Sequence, residues 1–181
     1  MHQPVIATQV IVGFHSPAML DPDFACMEII NDALVGGDSS RLEERLVIQE
    51  ELASDIEGYV TPFSEPGLYI FSMTLRAGVD PQHALAVLQE ELDRVALGLE
   101  DWEIDKAKNG LELGLIDGFR DVDGCAEAIG HYEVCYGDFS LAFKVLNRFS
   151  ELESNDIAQA ARRVFSPSRR NTVIALADGS I

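Results

Sequence analysis

Residues 54–77, SDIEGYVTPFSEPGLYIFSMTLRA, decide how this chain is read. Tyr69, Phe71, Met73 and Leu75 alternate with Leu68, Ile70, Ser72 and Thr74, so one face is apolar throughout and the other mixed. A period of two is that of a strand, and a face of this kind belongs to a sheet covered mainly on one side. A second strand is predicted near 54–62 and the first near 67–77. Between them Pro62-Phe63-Ser64-Glu65-Pro66-Gly67 is dense in residues that break regular structure. So short a link favours antiparallel pairing.

Towards the N-terminus, VIATQVIVGF at 5–14 is β-branched and nearly continuous, and reads as a buried strand. Asp21-Pro22 has the form of an N-cap followed by proline at the first helical position. Met27, Ile30 and Leu34 give that helix its apolar stripe, and Gly36-Gly37 ends it. Ser40-Arg41-Leu42-Glu43 has capping-box spacing and predicts a second helix carrying Leu42, Leu46 and Leu52, to about Ala53. Towards the C-terminus, Asp80-Pro81 repeats the cap-and-proline device, and Leu85, Leu88, Leu92, Val95 and Leu99 recur at helical spacing. Asp101 is expected to cap a helix with Ile104, Ala107, Leu111 and Leu115 inside. Further helices are expected near 121–136, with Ala128, Ile129, Tyr132 and Cys135 on one side, then near 139–149 and 154–165, before a last strand at 172–176.

The element order is β-α-α-β-β-α-α-α-α-α-β. Strands do not alternate singly with helices, which argues against a doubly wound parallel sheet. The prediction is α+β, a mostly antiparallel sheet with helices packed on one face. Residues 1–181 read as one domain, and because the chain starts abruptly within its first strand, truncation at the N-terminal edge is expected.

Composition sets bounds on function. The 181 residues are 47% hydrophobic and 24% charged, an ordinary globular mix. Thirteen Lys and Arg against 31 Asp and Glu leave a net charge of −18, a surface that phosphate backbones repel, so no nucleic-acid partner is expected. The densest basic group, Arg162-Arg163 with Arg169-Arg170, is short. No apolar run approaches the roughly 20 residues of a membrane helix, and no signal peptide is visible in Met1-His2-Gln3-Pro4. A soluble protein, cytoplasmic or periplasmic, is the expectation. Cys26, Cys125 and Cys135 contain no Cys-x-x-Cys pair and read as buried free thiols.

The search for chemistry finds no self-sufficient catalytic group. His131 and Cys135 share a helix face at i, i+4, a spacing two metal ligands can use, but zinc takes at least a third protein ligand. The expected reading is a half-exposed His and a buried thiol. Gly36-Gly37 lacks the glycine spacing and lysine of a phosphate loop. Glu43-Glu44 and Glu50-Glu51 are adjacent pairs whose side chains diverge by about 100° on a helix, so a solvated face is expected. Tyr59 and Tyr69 are expected to be packing residues on strands.

Several segments, in order, carry a family resemblance: Val12-Gly13-Phe14-His15-Ser16-Pro17, Asp21-Pro22-Asp23, Leu34-Val35-Gly36-Gly37-Asp38-Ser39-Ser40-Arg41-Leu42, Arg45-Leu46-Val47, Glu50-Glu51-Leu52-Ala53, Glu65-Pro66-Gly67-Leu68-Tyr69-Ile70 and Trp102-Glu103-Ile104-Asp105-Lys106-Ala107-Lys108. The chain resembles the insulinase/pitrilysin-type zinc metallopeptidases, above all the bacterial members and the mitochondrial processing peptidase. The resemblance implies a clamshell of two similar halves closing over a peptide. In it the N-terminal half carries zinc on His-x-x-Glu-His and a downstream Glu, and the C-terminal half carries no metal. No His-x-x-Glu-His occurs in this sequence, and His131-Tyr132-Glu133-Val134-Cys135 only superficially approaches it. The chain is therefore similar to the non-catalytic C-terminal half, with no cofactor of its own and with zinc implied for the partner half.

In many relatives that half offers an Arg and a Tyr, seven positions apart, to hold substrate over the zinc. Val47 and Ser54 occupy those places here, and neither can grip a peptide carbonyl as guanidinium and phenol donors do. Neighbouring Arg45 and Tyr59 are not substitutes merely by being near. The turn Gly36, Gly37, Asp38, Ser39, Ser40, Arg41 is similar to the family's Gly/Ser loop and is a possible channel loop, although a plain connection between helices is its first reading. The implied partners are a zinc-bearing half, on the same or another chain, and a peptide substrate. A bare partner surface also predicts self-association of the isolated fragment. The alternative role is a catalytically inert assembly subunit of the same descent.

Overall fold

A computed structural model describes residues 6–177, apart from the side chains of 145–147. Val5 and His2 thus lie outside the described residues. The elements run β1 (Gln9–Ser16), α1 (Pro22–Val35), a π-helical segment (Glu43–Gln49), β2 (Ala53–Val60), β3 (Gly67–Leu75), α2 (Pro81–Val95), α3 (Asp101–Gly118), α4 (Val122–Tyr136), α5 (Leu141–Ser150), α6 (Ser154–Val164), a 3₁₀ turn (Pro167–Arg169) and β4 (Asn171–Ala175). The four strands form one antiparallel sheet in the order β2-β3-β1-β4. This is the α+β architecture expected from the sequence.

The alternation in β3 decides which way the sheet faces. Tyr69, Phe71, Met73 and Leu75 are buried beside Val10, Val12 and Phe14 of β1, and α1 and α6 pack over them. Phe14, Tyr69 and Phe71 gather around Phe165, with ring centroids 4.7–6.2 Å apart. The opposite face carries Ile11, Tyr59, Leu68 and Val173, all exposed. Helix α1 sits between the sheet and the outer helices, contacting β2, α3 and α6, and so buries residues on most of its circumference. The caps predicted at Asp21 and Asp80 form: each side chain accepts from the amide two residues on, Asp23 N and Gln82 N, at 2.9 Å.

Several expectations are corrected. Strand β1 reaches Ser16 rather than Phe14, because its register with β3 carries pairing through His15↔Leu68 and Ser16↔Gly67. The predicted second helix stops at Gln49: Glu50 N bonds Arg45 O, Leu52 N bonds Leu46 O, and Glu51 takes φ +50°, which turns the chain into β2 at Ala53. Leu52 is buried from the loop, its carbonyl receiving Arg76 N. Ser40 does not cap that segment through its side chain; its hydroxyl is buried without a partner among the described residues, and only its carbonyl receives Glu44 N. Leu99 lies beyond α2, past Gly98 at φ +134°, and is buried by the returning loop. Helix α3 is capped by Glu100, not Asp101, through a capping box with Glu103. On α4 only Tyr132 is buried, while Ile129 and Cys135 are exposed. Of the thiols, Cys26 alone is buried. Tyr59 is half-exposed on the open sheet face rather than packed.

Candidate functional site

The Gly/Ser turn is built by what glycine permits. Gly36 N closes α1 on Asp32 O at 2.8 Å, and a Cβ on Gly36 would stand 2.4 Å from that same oxygen. Gly37 follows at φ +97°, a conformation other residues rarely adopt. Ser40 N then bonds Gly37 O at 2.9 Å. The turn thus reverses the chain in four residues and presents Ser39 and Arg41 to the start of α3.

There the segment Trp102–Lys108 receives it. Arg41 grips Glu103 with two parallel bonds, Nε to Oε1 at 2.6 Å and Nη2 to Oε2 at 2.5 Å. Lys106 Nζ donates to Ser39 Oγ at 2.9 Å. Glu103 is 6% exposed, and its second duty is to accept from Glu100 N and cap α3. Burial pushes the Glu103 carboxyl up, but the Arg41 guanidinium and the Glu100 amide outweigh it and hold the group below the usual carboxylate range. The hydrogen bonds that Arg41 donates to Glu103 raise the guanidinium correspondingly, against the effect of burial. Burial raises the neighbouring Asp32 carboxyl, against the pull of Lys106. The Gly/Ser turn is therefore clasped to α3, not a free loop.

A cleft of about 420 Å³ opens beside the clasp, between the π-helical segment, the end of α2 and the start of α3. Arg41, Arg45, Glu91, Arg94, Leu97 and Trp102 line it. Arg45 donates to Glu50 and Glu91 at 2.9 Å and to Glu90 at 2.5 Å, and those bonds raise its pKa. Glu91, 2% exposed, also takes Arg94 at 2.9 Å. Trp102 keeps its indole half in solvent while Nε1 donates to Glu100. Every guanidinium in this cleft is already matched with a carboxylate. Arg45 could grip a peptide carbonyl only by releasing a partner.

Val47 is half-buried against the main core, and Ser54 is exposed on β2 with its hydroxyl donating to Thr74 O at 3.2 Å. The structure brings neither residue to the cleft lining. The pairs Glu43-Glu44 and Glu50-Glu51 do not form one solvated face, since Glu50 serves Arg45. Among the described residues no group of three or more His, Cys, Asp or Glu is placed to hold a metal ion. His131 and Cys135 lie apart from this site, on the outer side of α4. What sequence reasoning misses is the clasp: Arg41 and Glu103 are both visible, but their separation of 62 positions hides their meeting.

The basic group near the C-terminus is spent on internal bonds. Arg163 makes a bidentate pair with Asp23, Arg162 donates to Ala96 O, and Arg170 donates to Gln89. No helix of the described residues is long and apolar enough to cross a membrane.

The chain is similar to known proteins in both sequence and fold. Residues 2–111 match the family described as the peptidase M16 inactive domain. The chain is 31% identical over 159 residues to an uncharacterised zinc protease of Streptomyces coelicolor, and 25% identical over 169 residues to one of Rickettsia bellii. These alignments take in 86% and 92% of this chain but only 34% and 40% of those proteins, so the chain spans well under half of each curated relative. Among solved structures, a candidate zinc protease from Bordetella pertussis superposes with a TM-score of 0.84 at 25% identity, covering 97% of both chains. A peptidase M16 inactive domain from Pseudomonas fluorescens superposes with a TM-score of 0.84 at 18% identity, over 97% of this chain and 42% of that one.

Proposed function

Because the chain belongs to the peptidase M16 inactive-domain family, we propose that it is the non-catalytic half of a zinc metallopeptidase, enclosing a peptide together with a zinc-bearing half that performs the hydrolysis. The observation that carries this reading is the family match combined with a one-sided sheet: helices cover one face, while the other, mixed face stays open with Ile11, Tyr59, Leu68 and Val173 exposed on it. An open antiparallel face with a free edge at β2 can receive an extended chain by main-chain pairing. The Arg41–Glu103 clasp supports the same reading by holding the turn in one shape, so that a wall of the enclosure is rigid before substrate arrives.

A second reading, an inert assembly subunit, draws on Val47 and Ser54, whose side chains serve the core and a strand carbonyl rather than a substrate grip. The experiment that separates the two mixes the purified chain with a separately expressed His-x-x-Glu-His half of a zinc protease of this family and follows cleavage of a quenched fluorescent peptide library. The proposal expects silence from this chain alone, zinc-dependent cleavage from the mixture, and loss on chelation. A zinc-bearing half that cleaves equally well without this chain refutes the enclosing role; a stable but inactive complex points to the assembly subunit.

A further inference from the structure

The outer side of α4 carries a pair of metal-ligating side chains that the peptidase reading leaves unused. His131 Nδ1 and Cys135 Sγ stand 3.8 Å apart. A tetrahedral zinc with Zn–S of about 2.3 Å and Zn–N of about 2.0–2.1 Å spans its two ligand atoms by about 3.6 Å. The pair thus sits within a few tenths of an ångström of the bite a chelated zinc requires. The imidazole is held there: Tyr132 and Tyr136 meet it edge-to-face at 5.5 and 5.9 Å. Both tyrosines are anchored, Tyr132 by burial in the cluster of Met19, Phe24 and Ala142, and Tyr136 through its hydroxyl on Met19 Sδ. Ligand orientation is therefore set by packing before any metal binds.

The other thiols cannot serve. Cys26 is buried, and Cys125 is half-buried with its Sγ on Phe119 O at 3.3 Å. Cys135 is exposed, and Val134 beside it is 85% exposed. Two ligands make half of a closed zinc site, and among the described residues no third ligand completes it. A second copy related by a two-fold axis through α4 would supply the missing half, since an isologous contact would bring the same pair. We propose that His131 and Cys135 form a half-site for a thiophilic divalent cation, Zn²⁺ above all, completed as Cys₂His₂ by a second copy of this chain. Binding displaces one proton from each thiol to solvent, and two thiolates neutralise the ion. With −18 on each copy, charge repulsion opposes association without the metal. The dimer through α4 is therefore metal-dependent, distinct from any self-association through the open sheet face.

The test is a Co²⁺ titration of the chain under a non-chelating reductant, followed by light scattering with Zn²⁺. The expected result is saturation at half a cobalt per chain, with intense tetrahedral visible bands and a thiolate-to-cobalt charge-transfer band, both lost on adding Zn²⁺. Zinc converts monomer to dimer and a chelator reverses it. Cys135→Ser and His131→Ala each abolish the bands and the dimer while leaving thermal melting unchanged. The proposal is overturned by pale octahedral cobalt spectra, which mean carboxylate binding only. Saturation at one metal per chain without a mass change, or a zinc dimer that survives Cys135→Ser, overturns it equally.

Discussion

Replacing Glu103 by Gln removes the charge from the clasp while keeping its shape. The Arg41 side chain is 20% exposed and Glu103 6%, so the pair is largely shielded from water. Stranding one member of a fully buried pair costs about 3–5 kcal/mol. Arg41 retains some access to solvent, which lowers the expected cost to roughly 2–3 kcal/mol. For a domain of this size that corresponds to a fall in melting temperature of roughly 5–10 °C. The pH dependence has a definite sign. Glu103 is held below its ordinary value when folded, so its contribution is present above the unfolded carboxylate range and disappears as pH falls through the folded value. The gap between wild type and Glu103→Gln is therefore full at pH 7 and closes in acid. Urea denaturation at both pH values measures it, and amide exchange across Gly36–Leu42 reports whether the turn loosens with the clasp. An Arg41→Met, Glu103→Leu double variant should recover part of the loss, giving a coupling energy of roughly 1–3 kcal/mol. Additive single effects, or an unchanged gap at low pH, refute the argument that a shielded ion pair secures this turn.

Other consequences follow from packing and burial. At Gly124 a Cβ would stand 2.0 Å from Gly118 O, backbone against backbone, whereas Gly114 on α3 has open space; Gly124→Ala should lower stability by roughly 1–3 kcal/mol and Gly114→Ala should raise it by roughly 0.5–1 kcal/mol, read from melting curves. Burial pushes the Glu28 carboxyl up to about 7, with Arg148 opposing. Its contribution is then full below the unfolded value and lost as pH rises through 7, so Glu28→Gln should be more stable than wild type at pH 8 by up to roughly 2–3 kcal/mol and no different near pH 4.5. Leu88, 1% exposed, should cost roughly 2–5 kcal/mol when cut to Ala, and an unchanged denaturation midpoint contradicts its place in the core.

The parts of the fold legible in the sequence are those governed by local periodicity and local capping. The alternation at Tyr69, Phe71, Met73 and Leu75 settled the sheet's buried side, and Asp21-Pro22 and Asp80-Pro81 marked helix starts to the residue, because a cap is a contact between neighbours in sequence. The end of the second helical segment was not legible. Glu51 at φ +50° is a residue type that gives no warning of left-handed backbone, and the π-helical bonds around it answer to Leu52's tie with Arg76 across the loop. Cys135 reads as buried because it shares one side of α4 with Ala128, Ile129 and Tyr132, a stripe that ordinarily faces the core, whereas only Tyr132 of that side is buried. The site divided the same way. Gly36-Gly37 could be identified from the turn it makes, while the Arg41–Glu103 meeting depends on tertiary packing that no local pattern encodes.

The pairing of the first strand with the last has a bearing on how such a domain travels between genes. Gln9 lies opposite Ala175 in the register of β1 and β4, so the polypeptide enters and leaves the sheet at points about 5 Å apart. A module with adjoining ports can be spliced into a larger protein, or cut free of one, without stretching its host. The same architecture can then sit within a longer polypeptide or fold on its own, with no redesign of its interior.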